Sequence, residues 1–234
     1  MDVKNKWCVV TGSSRGIGLE ICKQLCELGA NVVGLSRSEP PFKHKNFTFI
    51  STNVRSFESV SAAFDQIHEL APVGIDVLVN NAGLGYFGFI EDVTLNQWHE
   101  MYETNVNSIF YTCKLALPRM KVKELGHVIN IASTAGIEGY PQVSAYCGTK
   151  FAVKGISESM YKELRDFGVK VTCIYPGSTK TNFFENSPIE THDYMLQPSD
   201  VANMIVYSIQ TPKNFHQVNV EVRPLQPKGP SKKG

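Results

Sequence analysis

Along this chain, short runs rich in Val and Ile alternate with stretches whose apolar residues return every three or four positions. The first kind reads as β-strand, at 7–10, 31–35, 47–51, 76–79, 127–132, 169–175 and 218–222. Most of these runs are apolar on both faces, as strands in a helix-covered parallel sheet must be. The second kind reads as amphipathic helix: Ile17, Ile21, Leu25 and Leu28 form one stripe, and Ala152, Ile156, Met160 and Leu164 another. Val201, Ile205 and Ile209 form a third stripe after Pro198, whose missing N–H is harmless near a helix start. The alternation predicts an α/β fold: a doubly wound, seven-stranded parallel sheet with helices on both faces and right-handed crossovers. Residues 39–46 (EPPFKHKN) carry two prolines, so the helix between the second and third strands is expected to be stunted or missing. No repeat or linker divides the chain. A single domain is expected over 1–225, followed by a frayed basic tail at 226–234.

Composition narrows the class of function. The 234 residues are enough for one well-buried α/β core, and 42% hydrophobic with 19% charged residues is an ordinary globular balance. A net charge of +1 argues against broad binding to nucleic acid or an anionic membrane, since either needs a concentrated positive face. No apolar run approaches the roughly 20 residues that span a bilayer. MDVKNK passes directly into the strand-like WCVV, so no export leader is expected and a cytoplasmic location is. The six cysteines (8, 22, 26, 113, 147 and 173) sit among apolar residues and read as reduced thiols acting as small hydrophobes. Neither they nor the six dispersed histidines show ligand spacing, so no metal site is expected.

Directly after the first strand comes Thr11-Gly12-Ser13-Ser14-Arg15-Gly16-Ile17-Gly18, and a helical stripe follows. Three glycines in a strand-to-helix turn let backbone approach an anion, and the helix start presents unpaired N–H groups to a pyrophosphate. At a first βα junction this pattern predicts dinucleotide binding. A site for NAD has an Asp or Glu at the end of the second strand to hold the ribose 2′-OH; here Leu35 is followed by Ser36 and Arg37. Arg37, with Arg15 inside the turn, suits a 2′-phosphate through charge-assisted hydrogen bonds. The expected cofactor is therefore NADP(H), with NAD(H) less favoured.

Tyr146 and Lys150 lie four residues apart in a helical segment, so they share one face. An ammonium beside a phenol favours the phenolate and lowers a pKa of about 10, as proton exchange with an alkoxide near neutrality requires. Asn105 is an amide on the stripe Trp98, Met101, Asn105, Ile109 and Cys113, and a buried amide needs partners.

Together these pieces resemble the short-chain dehydrogenase/reductase family over nearly the whole chain. The matching elements are the TGSSRGIG turn, Asn80-Asn81-Ala82-Gly83 after the fourth strand, Asn105, Ser133 ending the fifth strand, Tyr146-Cys147-Gly148-Thr149-Lys150 thirteen residues later, and Pro176-Gly177 after the sixth. The resemblance implies a Rossmann fold and a catalytic set of Asn105, Ser133, Tyr146 and Lys150. Ser133 would hydrogen-bond the substrate oxygen, Tyr146 would exchange its proton, and Lys150 would bind the nicotinamide ribose and lower the Tyr146 pKa. Asn105 would hold a water linking Lys150 to solvent, or clasp two elements. The implied cofactor contacts are Gly12, Ser14, Arg15, Gly16, Ile17, Gly18, Ser36, Arg37, Asn53, Val54, Asn81, Ala82, Gly83, Tyr146, Lys150, Pro176, Gly177, Thr179 and Thr181. Asn53 stands where Asp is usual, which implies an altered adenine contact.

The reading that follows is an NADPH-dependent oxidoreductase that interconverts a ketone or aldehyde with an alcohol, acting on a small-molecule substrate as a homodimer or homotetramer. One alternative is a 3-oxoacyl-carrier-protein reductase, although Glu221-Val222-Arg223-Pro224 lacks the glycine pair common after the last strand. The other is a non-catalytic dinucleotide-binding sensor or scaffold. Residues 182–197 are expected to form a lid over the substrate. Tyr86, Phe87, Phe89, Phe183 and Phe184 would line an aromatic pocket or serve ordinary packing.

Overall fold

The computed structural model describes residues 1–185, 187 and 190–227. Its strands are β1 Trp7–Thr11, β2 Asn31–Ser36, β3 Phe47–Ser51, β4 Val77–Asn80, β5 Gly126–Ile131, β6 Val169–Pro176 and β7 Asn219–Val222. Every strand read from the sequence is present, and no end shifts by more than one residue. They pair in parallel throughout, in the order β3-β2-β1-β4-β5-β6-β7. This is a single seven-stranded Rossmann-like sheet. The chain winds outward from β1 to β3, then returns past β1 to β4. That reversal opens a crevice at the carboxyl ends of β1 and β4, where ligands bind in doubly wound sheets.

The helices are α1 Gly16–Glu27, α2 Phe57–Leu70, α3 Leu95–Tyr102, α4 Ser108–Lys123, α5 Ser144–Leu164 and α6 Pro198–Gln210. Between β2 and β3 the chain is irregular, as the prolines at 40 and 41 demand. Strand residues alternate between two cores. Cys8, Val10, Val32, Val77 and Val79 pack under α1 and α6, while Val9, Val33, Leu78, Val128 and Val171 pack under α2, α4 and α5.

Two N-caps show how local sequence starts these helices. The Ser56 hydroxyl accepts from Ser59 N at the head of α2, and Thr94 with Gln97 forms a capping box on α3. On the α5 stripe the buried positions are Lys150, Val153, Ser157, Met160 and Leu164, so the predicted Ala152 and Ile156 lie at its edge.

All six cysteines are buried free thiols. Among the described residues no helix is long and apolar enough to cross a membrane, and no group of three or more His, Cys, Asp or Glu side chains could hold a metal ion. Of the expected tail at 226–234, residues 228–234 lie outside the described residues, as do 186, 188 and 189 of the expected lid.

Candidate active site

The glycine turn is held from the neighbouring strand. Asn81 N and Ala82 N both donate to Thr11 Oγ1 at 3.0 Å, and Asn81 Nδ2 donates to Thr11 O at 3.0 Å and Gly12 O at 3.2 Å. This clamp brings backbone against backbone so closely that side chains are excluded. Gly12 has φ +68° and Gly16 φ +58°, conformations that favour glycine. A Cβ on Gly18 would lie 2.3 Å from Gly12 O. Gly18 does not line the cavity that the turn borders; its part is to let α1 pack against the turn. At the head of α1, Arg15 offers no capping side chain and the first turn holds no acid, so the helix N-terminus faces the cavity with its positive dipole end uncompensated.

That cavity has a volume of about 1320 Å³ and runs along the carboxyl ends of the strands. Every expected cofactor contact except Gly18 lines it. The floor at the switch point is Gly12, Asn81, Ala82 and Gly83, and the far end is bounded by Ser36, Arg37, Asn53 and Val54. The buried Thr104 hydroxyl also lines it and finds no hydrogen-bond partner among the described residues. A glycine cradle that a Cβ would fill, an uncapped helix start and an orphaned hydroxyl together fit a dinucleotide.

Three details stand out at the far end. Arg15 Nη1 lies 4.0 Å from the carboxylate of Glu185, just past the 3₁₀ turn Asn182–Phe184. Asn53 Oδ1 accepts from Arg55 N at 3.2 Å, so its acceptor already serves the local turn. A third arginine, Arg55, also lines the cavity and pairs with Glu100 of α3 at 2.5 Å, while Tyr86 donates to the same carboxylate. Those two hydrogen bonds, Tyr86's first, hold the Glu100 carboxyl below its ordinary value. Sequence reading missed Arg55, Glu100 and Thr104 as cavity residues and read Tyr86 only as part of an aromatic pocket or of ordinary packing. The only available signal was that Glu100 and Thr104 share a helical face with Asn105's neighbours, and that does not specify a partner 45 residues away.

At the other end, Ser133, Tyr146 and Lys150 converge on the cavity. Ser133 follows β5 in an extended conformation and accepts from Ala135 N at 3.1 Å, which fixes its hydroxyl. Tyr146 and Lys150 share one face of α5, with Nζ 5.7 Å from the phenol ring centroid. Lys150 Nζ donates to Ile131 O at 2.8 Å. Burial pulls the Lys150 ammonium down to about 8. Burial also pushes the Tyr146 phenol well above its usual value, and the Ser133 hydroxyl only partly offsets this. The net shift of Tyr146 is therefore upward, opposite to the expected direction: the ammonium donates to a carbonyl instead of the phenol, and desolvation outweighs its charge.

Asn105 stands behind this wall rather than in it, 1% exposed, within the π-helical turn Glu103–Asn107 that joins α3 to α4. Such turns often mark functional sites. Its Nδ2 donates to Leu84 O (2.8 Å) and Thr149 Oγ1 (3.0 Å), and its Oδ1 accepts from Leu84 N (2.9 Å). This is the clasp between elements. Asn105 and Lys150 also flank Gly83, where a Cβ would lie 3.5 Å from Oδ1 and 3.6 Å from Nζ. A buried chain beneath ties these helices to the sheet: Thr112 donates to Asn80 (2.7 Å), Asn80 to Asn130 (2.8 Å) and Asn130 to Ser157 (2.9 Å). Each member is satisfied, and such networks make positions rigid.

Thr181 bridges the two ends. Its hydroxyl accepts from Phe183 N to start the 3₁₀ turn, and its methyl would lie 3.5 Å from a Cβ on Gly16. Gly177 N donates to Val222 O (2.7 Å), and Thr179 Oγ1 to Gly177 O (2.9 Å), which fixes the segment entering the turn.

The short-chain dehydrogenase family model matches residues 6–191. An uncharacterized oxidoreductase of Staphylococcus aureus (strain MRSA252) is 33% identical, over 94% of this chain and 98% of the relative. Among solved structures, the closed form of a serine dehydrogenase complexed with NADP+ has 25% identity and a TM-score of 0.86, covering 97% of each chain. A metagenomic short-chain oxidoreductase in complex with NADP has 26% identity and a TM-score of 0.81, covering 96% of this chain and 99% of that one. With the sheet order, the glycine clamp and the Ser133–Tyr146–Lys150 corner in one cavity, the chain belongs to the short-chain dehydrogenase family of oxidoreductases.

Proposed function

We propose that this protein reduces a ketone or aldehyde to an alcohol, reversibly, using NADPH in preference to NADH. The observation that carries the reading is the convergence of Ser133, Tyr146 and Lys150 at one end of a cavity whose other end is lined by Arg15 and Arg37, with no acid directly after β2 and Glu39 outside the lining. The glycine turn and the start of α1 would hold the pyrophosphate, and Arg37 the 2′-phosphate. Bound NADPH supplies the hydride. Ser133 hydrogen-bonds the carbonyl oxygen and stabilises the charge that develops there. Tyr146 gives that oxygen its proton; its raised pKa keeps it in the donor form across neutral pH. The resulting phenolate lies near the Lys150 ammonium, which favours it, and recovers a proton from solvent. Asn105 keeps α4 and α5 in register through its clasp on Leu84 and Thr149.

We further propose a homodimer or homotetramer built on α4 and α5, whose Phe110 and Phe151 are 59% and 44% exposed. Sedimentation velocity tests this, and a monomer at micromolar concentration contradicts it. The functional test is NADPH oxidation, followed by absorbance, with a panel of ketones and aldehydes, repeated with NADH. Turnover with a lower KM for NADPH is expected. Equal affinity for both cofactors contradicts the assignment of the 2′-phosphate to Arg37, and the absence of any turnover favours the sensor reading.

A further inference from the structure

Beside Tyr146 the cavity wall changes character. Phe183 lies 5.3 Å from the Tyr146 ring, 5.4 Å from Phe184 and 5.9 Å from Phe87, and Phe87 lies 6.4 Å from Phe184. These spacings fall within the range of favourable ring pairs. Gly85 makes the arrangement possible, because a Cβ there would lie 2.6 Å from Phe183 Cζ and 3.0 Å from Tyr146 Cδ2. None of the three phenylalanines belongs to either hydrophobic core; all three are half-buried and line the cavity. Packing of the fold therefore does not account for them.

The charged side chains near these rings are already engaged. Arg223, the cavity's cation at this end besides Lys150, donates to Glu138 at 2.7 Å and also to Glu221. That corner holds two carboxylates around one guanidinium, so it repels an anionic substrate instead of attracting one. Tyr140 donates to the same Glu138, and Asn182 to Glu185. A sugar lying on this aromatic wall would bury hydroxyls against rings that offer them no hydrogen-bond partner, which is unfavourable.

We propose that the substrate is an uncharged, ring-bearing aldehyde or ketone, whose ring packs against Phe87, Phe183 and Phe184 while its carbonyl reaches Ser133 and Tyr146. This rests on the carbonyl-reduction reading and narrows its substrate class. The cavity selects by ring contact and by having, among the described residues, no unpaired cation beside these rings, and Phe183 is the residue that joins the aromatic wall to the catalytic tyrosine.

The experiment compares kcat/KM with NADPH for benzaldehyde and acetophenone against pyruvate and glucose. The aryl carbonyls are expected to lead by about 100-fold, in line with the size of apolar-pocket discrimination. Phe183→Ala is expected to raise the benzaldehyde KM about tenfold while changing NADPH affinity less than twofold; Phe87→Leu serves if the first variant does not fold. Pyruvate or glucose turned over as well as the aryl carbonyls overturns the proposal, as does an unchanged benzaldehyde KM in the variant. If no carbonyl is reduced, the reduction reading fails by itself. Calorimetric binding of acetophenone to the NADP+-saturated protein then decides this inference: binding weakened by Phe183→Ala sustains it, and no binding overturns it.

Discussion

Around the glycine turn the cavity is made of main chain, fixed by the Asn81 and Thr11 hydrogen bonds, whereas around Tyr146 it is made of side chains resting on one another. The first half has no room for adjustment, since Gly12 and Gly18 are in near contact with neighbouring backbone. The second half is built from half-buried rings and paired charges that leave the fold's two cores untouched. The difference separates two kinds of constraint. A ligand common to many relatives can be bound by backbone geometry, while a substrate particular to one chain is recognised by residues that change without disturbing the sheet.

The contrast predicts that a single methyl in the first half does more harm than losing a whole charged side chain in the second. Gly18→Ala places a Cβ against a carbonyl that cannot move away. We expect a destabilisation of about 1–3 kcal/mol and a fall in NADPH affinity of about 100-fold or more, read by thermal unfolding and fluorescence titration. An affinity within about threefold of wild type would mean that the clamp is less rigid than its geometry indicates.

The buried Lys150 ammonium gives a comparison within one side chain, between its chemical use and its structural burden. Its folded pKa of about 8 lies below the ordinary lysine value of 10.5, so the unfolded chain binds more protons between these limits. Stability attributable to Lys150 therefore rises as pH increases from about 8 to about 10.5, by up to about 3 kcal/mol. Urea unfolding of the cofactor-free protein should show wild type gaining on Lys150→Met over that window. A pH-independent difference would contradict the desolvated environment.

Arg37→Ala should weaken NADPH binding about tenfold through loss of one charge-assisted contact, and leave NADH affinity within about twofold. An equal effect on both cofactors would place Arg37 at the shared part of the site. The smallest effect is expected at Arg223, whose pair with Glu138 is half-exposed on both sides. Arg223→Ala should change stability by less than about 1 kcal/mol in urea. A larger loss would mean that this corner is part of the fold and not a substrate wall.

The same contrast governed what the sequence disclosed. The strands, the stunted connection at 39–46 and the shared face of Tyr146 and Lys150 depend on periodicity and on local residues such as glycine and proline, so they could be read directly. Asn105 was legible as a buried amide in need of partners, but Leu84 and Thr149 were not legible as those partners. Gly18 was read as a contact to the ligand because its motif is continuous, although it faces Gly12 instead. Arg55 and Glu100 meet across 45 residues, and nothing local to either specifies the other. The sign of the Tyr146 shift failed for a related reason: spacing places Lys150 beside the phenol, but only the packed structure shows that Ile131 O takes the ammonium and that burial outweighs its charge.

The central claim is that Tyr146 delivers the proton when a carbonyl is reduced in this cavity. Single-turnover oxidation of bound NADPH by benzaldehyde, followed by stopped-flow absorbance in wild type and Tyr146→Phe, tests it most directly. The account predicts a rate lowered about 10³-fold or more, within the range for loss of a general acid, with NADPH affinity unchanged. A Tyr146→Phe rate within about tenfold of wild type, at equal cofactor occupancy, would contradict it.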